Sequence, residues 1–379
     1  MSERSHTQLT TLLQAFDQQG GADLFITAGA PVSHRLNGAI EPLTEESLSS
    51  EQARHLTLAL MTEEQRARFD AEKELNFSYH LSDASRFRVN AFFQQEQVGC
   101  VVRRIATTIP TLQDLGLPSH LGELALSPRG LILMVGATGS GKSTTLASMV
   151  DHRNRQQRGH IITIEDPIEF VHRHQQSLIT QREVGVDTES YAQALTNTLR
   201  QAPDVILLGE IRTEETMAHA INFAETGHLC LSTLHANNAH QALERIVNFF
   251  EQAKRDQILM DLSLNLKAIV SQRLIPSEKG GRIAALEVLY NTPYISELIF
   301  DGRIHEIKTA MQNSQTPGMQ TFDQSLFDLY EAGQISYENA LRHADAVNDL
   351  RLQIKLNSQQ PLPDALQSER THLSIRPDD

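Results

Sequence analysis

The segment Gly136–Ser143 constrains the fold of this chain more than any other stretch. It has the sequence Gly-Ala-Thr-Gly-Ser-Gly-Lys-Ser, which is the G-x-x-x-x-G-K-[ST] pattern of a phosphate-binding loop. The apolar run Leu131–Val135 precedes it, and the residues from Ser143 onward have a helical pattern. A strand that leads through a glycine-rich turn into a helix directs backbone N–H groups and the helix dipole at one anion. The sequence therefore predicts a nucleotide site.

The lysine and the serine of this loop are predicted to bind different parts of a nucleotide–magnesium complex. Lys142 would reach the β- and γ-phosphates, and the Ser143 hydroxyl would hold Mg²⁺. The predicted nucleotide-binding residues are Gly136, Ala137, Thr138, Gly139, Ser140, Gly141, Lys142, Ser143 and Thr144.

Length and composition limit the remaining possibilities. A chain of 379 residues predicts two to three domains. It has no apolar run of the ~20 residues that a membrane-spanning helix needs, and its polar first residues argue against a secretory signal. Two cysteines are too few for a disulfide framework or a four-cysteine zinc site, so we expect a cytosolic protein. The net charge of −14 argues against broad nucleic-acid binding.

Two domains are predicted from the order of patterns along the chain. Residues 1–106 combine a helical segment with alternating, antiparallel-type strands, which indicates a small α+β domain. Residues 107–118 contain two prolines and are predicted to be a linker. In residues 119–356 strands alternate with helices, which indicates a parallel sheet with phosphates bound at the carboxyl ends of its strands. Residues beyond Gly280 are predicted to be mainly helical, and residues 357–379 a disordered tail.

The sequence predicts the bounds of individual strands and helices in the second domain. The strands are Leu131–Val135, Ile161–Ile164, Val205–Leu208 and Leu229–Thr233. The helices are Ser190–Gln201, Glu214–Thr226, His240–Phe250, Gln324–Glu331, Ser336–Ala344 and Asp345–Leu356.

Carboxylates follow two of these strands. Glu210 comes after Val205–Leu208, and the strand beside a phosphate-binding loop commonly ends in an acid that faces Mg²⁺ and the γ-phosphate. No obvious neutralising partner follows Glu210, so we favour this role over a charge that meets solvent. Glu165, Asp166 and Glu169 form a second acidic group, which is expensive to bury unless a cation lies among the carboxylates. A metal-bound nucleotide would supply that cation, but the residues alone fit a solvated loop equally well.

Histidines and arginines complete the candidate residues. His228 and His235 flank one apolar strand, where they could sense a γ-phosphate or position water, although a lone histidine is more often structural. Neither has a cysteine or carboxylate at metal-ligand spacing, which argues against zinc. Arg86, Arg88, Arg103 and Arg104 lie on predicted strands of the first domain. An arginine donated across a subunit interface would suit a nucleotide site, but the residues alone favour ordinary surface arginines.

Four motifs in order carry a family resemblance. The loop at residue 136, Ile162–His172, Ala202–Arg212 and Thr226–Ala236 resemble the Walker A motif, aspartate box, Walker B motif and histidine box of the secretion-superfamily hexameric ATPases. The chain is most similar to the type IV pilus retraction ATPases of the PilT/PilU family. Residues 345–356 and the extended tail resemble the PilU group, whereas Tyr294–His305 departs from the retraction signature of PilT.

This resemblance implies an architecture and a set of roles. It implies a PAS-like first domain, a RecA-like second domain and a homohexameric ring with ATP and Mg²⁺ between the domains. Glu210 would be the Walker B acid, touching Mg²⁺ through water, and Glu165 or Glu169 would polarise the attacking water. His228 and His235 would couple the γ-phosphate to domain rotation. Arg88 and Arg103 would reach in from a neighbouring subunit.

The resemblance also implies a cellular role and partners. The ring would assist type IV pilus retraction at the cytoplasmic face of the inner membrane, with a PilT-like ATPase and the pilus platform protein as partners. Three alternatives stay open. They are a pilus-extension or type II secretion ATPase, a PilT-binding adaptor with weak ATPase activity and, against the acidic charge, a DNA translocase. The extension and secretion ATPases usually carry a further N-terminal domain and a four-cysteine zinc insertion.

Overall fold

The structure is a computed structural model that describes residues 3–36, 38–82, 85–105 and 108–360. It divides into two compact units. The first comprises the chain up to Ile109 together with Ile168–His172, and the second comprises Pro110–Pro167 and the chain from Arg173 onward. Among the described residues, no helix is both long and apolar enough to span a lipid bilayer.

The first unit is a six-stranded antiparallel sheet with helices. Its strands follow the spatial order β3-β2-β1-β6-β5-β4. Their bounds are β1 Asp23–Ile26, β2 Pro31–Leu36, β3 Ala39–Ser47, β4 Glu74–Ser82, β5 Ser85–Gln94 and β6 Gln97–Ile105. The helices are α1 Glu3–Gln18, α2 Ser50–Ala59 and α3 Glu63–Glu72. The α+β character expected from the sequence is confirmed.

Alternation along the strands gives this sheet two different faces. Phe87 and Val89 of β5 are fully buried, as is Val102 of β6, and they belong to the same core as Leu13 of α1. Because successive side chains of a strand point to opposite faces, Arg88 lies on the face away from this core. Helices α2 and α3 begin at capping boxes, in which Ser49 and Thr62 each exchange hydrogen bonds with the glutamine three residues later.

The second unit is built on a seven-stranded sheet in the order β13-β12-β7-β11-β10-β8-β9. Strands β7 to β12 pair in parallel, and β13 pairs with β12 in the antiparallel sense. The strands are β7 Gly130–Val135, β8 Gly159–Glu165, β9 Ser177–Glu183, β10 Val205–Leu208, β11 Leu229–Leu234, β12 Leu266–Pro276 and β13 Arg282–Tyr290.

Helices cover both faces of this sheet. Leu131 and Leu133 of β7 enter one hydrophobic cluster, whereas Ile132 and Met134 enter another, so the central strand is apolar throughout. The first helices are α4 His120–Ala125, α5 Lys142–Gln156, α6 Tyr191–Thr198, α7 Glu214–Glu225, α8 Ala239–Asn248 and α9 Arg255–Asn265. The later ones are α10 Pro293–Phe300, α11 Ile307–Gln312, α12 Phe322–Glu331, α13 Tyr337–His343 and α14 Val347–Asn357.

The predicted strands around the loop and the mainly helical character of the region beyond Gly280 are confirmed. One strand of that region was not predicted, because Arg282–Tyr290 form the nine-residue strand β13. Its Ala-Ala-Leu-Glu stretch favours helix locally, yet this segment pairs with β12 along its whole length. Pairing and burial in the sheet therefore override local propensity. Strands β9 and β12 were also not predicted.

The domain boundaries differ from the prediction in two places. Residues 110–118 of the predicted linker pack with the second unit, where Leu112 and Leu117 are buried in a hydrophobic cluster. The segment Ile168–His172, predicted within the second domain, groups with the first unit. Of the predicted tail, residues 361–379 lie outside the described residues, and α14 ends at Asn357.

Candidate nucleotide site

The phosphate-binding loop connects β7 to α5, as its sequence predicted. Helix α5 begins at Lys142, directly after Gly141, whose φ is 86°. Ala137, Thr138 and Gly139 are exposed, whereas Ser140 and Lys142 are buried. The Lys142 ammonium donates hydrogen bonds to the carbonyl oxygens of Gly136 at 2.7 Å and Ala137 at 2.9 Å. The loop is therefore open on one side, with its lysine tied to its own backbone.

Strand β11 lies between the loop strand β7 and the Glu210 strand β10. The sequence prediction had set the Glu210 strand directly beside the loop, and the intervening β11 corrects it. Since Leu234 pairs with Val135 in the parallel ladder, the next residues, His235 and Gly136, are level at the carboxyl edge. His235 is thus brought to the sheet edge between the loop and Glu210.

Glu210 has two partners, contrary to the expectation that none would neutralise it. Its Oε2 accepts hydrogen bonds from Arg212, at 2.8 Å from Nε, and its Oε1 lies 3.1 Å from His235 Nε2. The hydrogen bond that Arg212 donates to Glu210 is also the main reason that the pKa of Arg212 is raised. Arg212 was missed because it follows Glu210 by only two residues, and sequence spacing alone does not reveal that the two side chains meet.

Glu165 ends β8 and is held by hydroxyl and amide donors. Its Oε1 accepts from Thr163 Oγ1 at 2.6 Å and from Gln181 Nε2 at 3.2 Å. Strand β8 pairs directly with β10, so Glu165 and Glu210 follow neighbouring strands at the same edge of the sheet. The structure thus brings Glu165 to the loop edge, together with Glu210 and His235.

Tyr191, at the start of α6, was not predicted as a site residue. Burial is the main cause of its raised pKa, and the charges of Asp166, Glu165 and Glu210 raise it further. A Cβ on Gly209 would lie 3.0 Å from the Tyr191 hydroxyl oxygen. The phenol therefore lies among the acids of this edge. The only sequence pattern that marked Tyr191 was the start of the predicted helix Ser190–Gln201.

His228 lies at the opposite edge of the sheet from His235. Its carbonyl accepts the Gly130 N–H at the beginning of β7, and its Nδ1 lies 3.2 Å from the Phe223 carbonyl. Six residues of β11 separate the two histidines, which corresponds to about 23 Å along an extended strand. Within one chain, the structure does not bring His228 to the phosphate-binding loop.

Glu169, Arg88 and Arg103 all belong to the first unit. Arg88 and Arg103 are cross-strand neighbours, and Arg103 Nε donates to Asp23 Oδ1 at 2.7 Å. This hydrogen bond is the main cause of the raised pKa of Arg103, and the charge of the exposed Glu169 raises it further. Arg35 lies 3.5 Å from the same aspartate. Glu169 therefore accompanies arginines of the first unit, whereas Glu165 belongs to the second.

Two cavities of the second unit flank the phosphate-binding loop. One has a volume of about 470 Å³ and is lined by Gly136, Ala137, His235, Asn237, Gln241 and Arg245. The other has a volume of about 350 Å³ and is lined by Leu115, Leu117, Thr144, Leu274, Arg282 and Ala284. The first is polar and adjoins His235, whereas the second is more apolar and adjoins the first turn of α5. These volumes lie within the usual range of small-molecule pockets.

Comparison with known proteins places the chain in a family. The model of the family described as Type II/IV secretion system protein matches residues 7–287. The type IV pilus ATPase PilU of Pseudomonas aeruginosa is 56% identical over 364 residues, which cover 96% of this chain and 93% of that protein. PilT of the same organism, a type IV pilus retraction ATPase, is 40% identical over 336 residues, covering 89% of this chain and 98% of PilT.

The fold agrees with this sequence relationship. A crystal structure of the pilus retraction motor PilT with bound ADP superposes with a TM-score of 0.85 at 40% sequence identity, covering 90% of this chain and 98% of that one. The chain therefore belongs to the Type II/IV secretion system protein family and, within it, to the PilT/PilU group of type IV pilus ATPases.

Proposed function

We propose that this protein hydrolyses ATP and uses the energy to assist type IV pilus retraction alongside a PilT-like ATPase. The observation that carries the proposal is the shared sheet edge of the second unit. The phosphate-binding loop, His235, Glu210 and Glu165 all follow parallel strands there. The extent of the match to PilU and PilT supports the same reading.

ATP would bind with its phosphates against the exposed side of the loop. The Lys142 ammonium would exchange its bonds to the Gly136 and Ala137 carbonyls for phosphate oxygens, which are stronger acceptors because they are charged. Thr144 lines the more apolar cavity, so the nucleoside would extend toward Leu115 and Leu274. The loop and both cavities belong to the second unit, so this binding needs only groups of one chain.

The residues present also fit Mg²⁺. This ion prefers oxygen ligands, and the edge offers the Ser143 hydroxyl on the first turn of α5 and the Glu210 carboxylate. When bound, Mg²⁺ would neutralise charge on the phosphates during transfer to water. Each Glu210 oxygen has a partner, Arg212 for Oε2 and His235 for Oε1. These two contacts would fix the direction of the carboxylate.

Glu165 is the better candidate of the two proposed acids for orienting the attacking water. It follows the strand next to β10, and donors from Thr163 and Gln181 fix one of its oxygens. A carboxylate held in this way can accept a proton from water without first reorganising. His235 would sense whether a γ-phosphate is bound, because it lies between the loop strand and Glu210. His228 is left out of this role because it lies at the other sheet edge.

The assembly that we propose is a homohexameric ring at the cytoplasmic face of the inner membrane. Arg88 and Arg103 of one subunit would approach the nucleotide of a neighbour, where guanidinium groups stabilise transferring phosphoryl charge. Asp23 would keep Arg103 in place until then, since it accepts that side chain's hydrogen bond. The pilus platform protein would receive the resulting motion.

Lys142→Ala tests the site with purified protein. We expect it to abolish ATP turnover, because it removes the only lysine of the loop. Lys279→Ala is the matched control, since Lys279 is exposed on the turn between β12 and β13. Undiminished phosphate release by Lys142→Ala would refute the site assignment.

A strain that lacks this gene tests the cellular role. Wild-type protein should restore retraction force in the presence of a PilT-like ATPase, and Glu210→Ala should not. Equal forces from the two proteins would favour the adaptor over the motor.

A further inference from the structure

Gln272 is a buried polar residue beneath the phosphate-binding loop. It lies on β12, which runs parallel to β7 with Ser271 opposite Val135, and only 3% of its surface is exposed. Its side-chain Nε2 donates a hydrogen bond to the Ser140 carbonyl at 2.8 Å. Its Oε1 accepts one from the Thr145 hydroxyl at 2.8 Å. One amide therefore connects the loop to the first turn of α5.

The loop packs closely on Gln272 at two of its glycines. A Cβ on Gly141 would lie 2.7 Å from Gln272 Nε2, and a Cβ on Gly136 would lie 2.6 Å from the Gln272 carbonyl oxygen. These glycines thus allow the loop to approach β12 as well as a phosphate. The contact is tight enough for Gln272 to restrict the conformation of the loop.

The bond to Ser140 controls the orientation of one peptide group. The Ser140–Gly141 peptide is trans, so its C=O and N–H point in opposite directions. Because the C=O points at the buried Gln272, the Gly141 N–H points away from it. Glycine at 141, with φ of 86°, gives this peptide unusual freedom to rotate. Without a partner for the carbonyl, the N–H would lose its fixed direction.

We propose that Gln272 is a positioning residue for nucleotide binding, which holds the Ser140–Gly141 peptide with its N–H directed at the nucleotide phosphates. Thr145 supports it by fixing which end of the Gln272 amide faces the loop. The ligand is the phosphate chain of a nucleoside di- or triphosphate, so the inference rests on the proposed ATP binding. Gln272 acts through the loop backbone, by its hydrogen bond to the Ser140 carbonyl.

Gln272→Met tests this inference, because methionine keeps the length of the side chain and loses both hydrogen bonds. Titration calorimetry with ADP and magnesium chloride should show about five- to ten-fold weaker binding than wild type. Gln257→Met is the matched control. Gln257 is exposed on α9, where its side chain donates to Asp261, so that variant should bind ADP as wild type does.

Gln272→Glu supplies a readout that a packing role would not change. An ionised carboxylate cannot donate to the Ser140 carbonyl, whereas a protonated one can. ADP affinity of this variant, relative to wild type at the same pH, should therefore rise between about pH 8 and about pH 6. This comparison also decides the question if Gln272→Met fails to fold.

Three outcomes would overturn the inference. The first is ADP binding by folded Gln272→Met within two-fold of wild type. The second is a Gln272→Glu affinity that follows the wild-type pH dependence. The third is wild-type protein that binds neither ADP nor ATP, which would refute the proposed function itself and is thereby distinguished from the first two.

Discussion

Glu287 on β13 gives the second unit a titratable carboxyl group in its interior. Only 2% of its surface is exposed, and its Oε1 accepts hydrogen bonds from the Ala239 N–H at 2.7 Å and the Ser271 hydroxyl at 3.3 Å. Burial raises the pKa of this carboxyl from 4.5 to about 7, although those two hydrogen bonds and Arg273 oppose the rise. Its ionisation should therefore lower the stability of the fold.

The sign and size of the effect follow from the two pKa values. Between pH 4.5 and about pH 7 the unfolded chain has released this proton and the folded chain retains it, so stability falls as the pH rises. A pKa change of this size corresponds to about 3 kcal/mol at pH 8 and to less than about 1 kcal/mol at pH 5. Glu287→Gln cannot ionise, and its Oε1 can still accept from Ala239.

The assay is thermal unfolding of wild type and Glu287→Gln at about pH 5 and about pH 8. The free energy of unfolding of the variant should exceed that of wild type by about 2 kcal/mol more at the higher pH than at the lower one. For a unit of this size that corresponds to about 4 to 8 °C in the unfolding midpoint. Any packing change caused by the amide is the same at both pH values, so the growth isolates the charge. Glu297→Gln, on the exposed side of α10, should show no such growth. An equal difference between Glu287→Gln and wild type at both pH values would refute the reasoning.

Two further predictions concern other buried groups. Burial raises the pKa of Cys100 to about 12 and raises that of Cys230 further, so neither thiol should react with a chromogenic disulfide reagent until urea unfolds the protein. Rapid reaction of one thiol in the native protein would contradict this. Asp323→Ala should destabilise the second unit by about 1 to 3 kcal/mol, because Asp323 accepts the Asp345 and Ala346 N–H groups before α14. Urea unfolding measures it, with exposed Asp301→Ala expected to stay within about 0.5 kcal/mol of wild type.

The strands around the nucleotide site could be predicted because their signal is local. Val205–Leu208 and Leu229–Leu234 are short apolar runs bounded by turns, and both are fully buried strands in the structure. The loop at Gly136 is equally local, because its glycines and lysine all lie within residues 136–142. Such features depend on neighbours in the chain, and the sequence displays those directly.

Contacts between distant segments could not be predicted in this way. Gln272 lies more than 130 residues after Ser140, yet the two are hydrogen-bonded. The position of β11 between β7 and β10 depends on the order of strands in the sheet, which no single segment encodes. His235 was missed as a partner of Glu210 for the same reason, since it reaches Glu210 only once β10 and β11 pair.

The grouping of Ile168–His172 with the first unit limits how this protein could be recombined. Ile168 is almost fully buried, yet the chain on either side of this short segment belongs to the second unit. A chimera joined near residue 110 would exchange most of the first unit but retain these five residues from the original parent. The two units therefore cannot be exchanged by a single junction. A functional chimera with a relative would have to replace residues 168–172 together with the N-terminal portion.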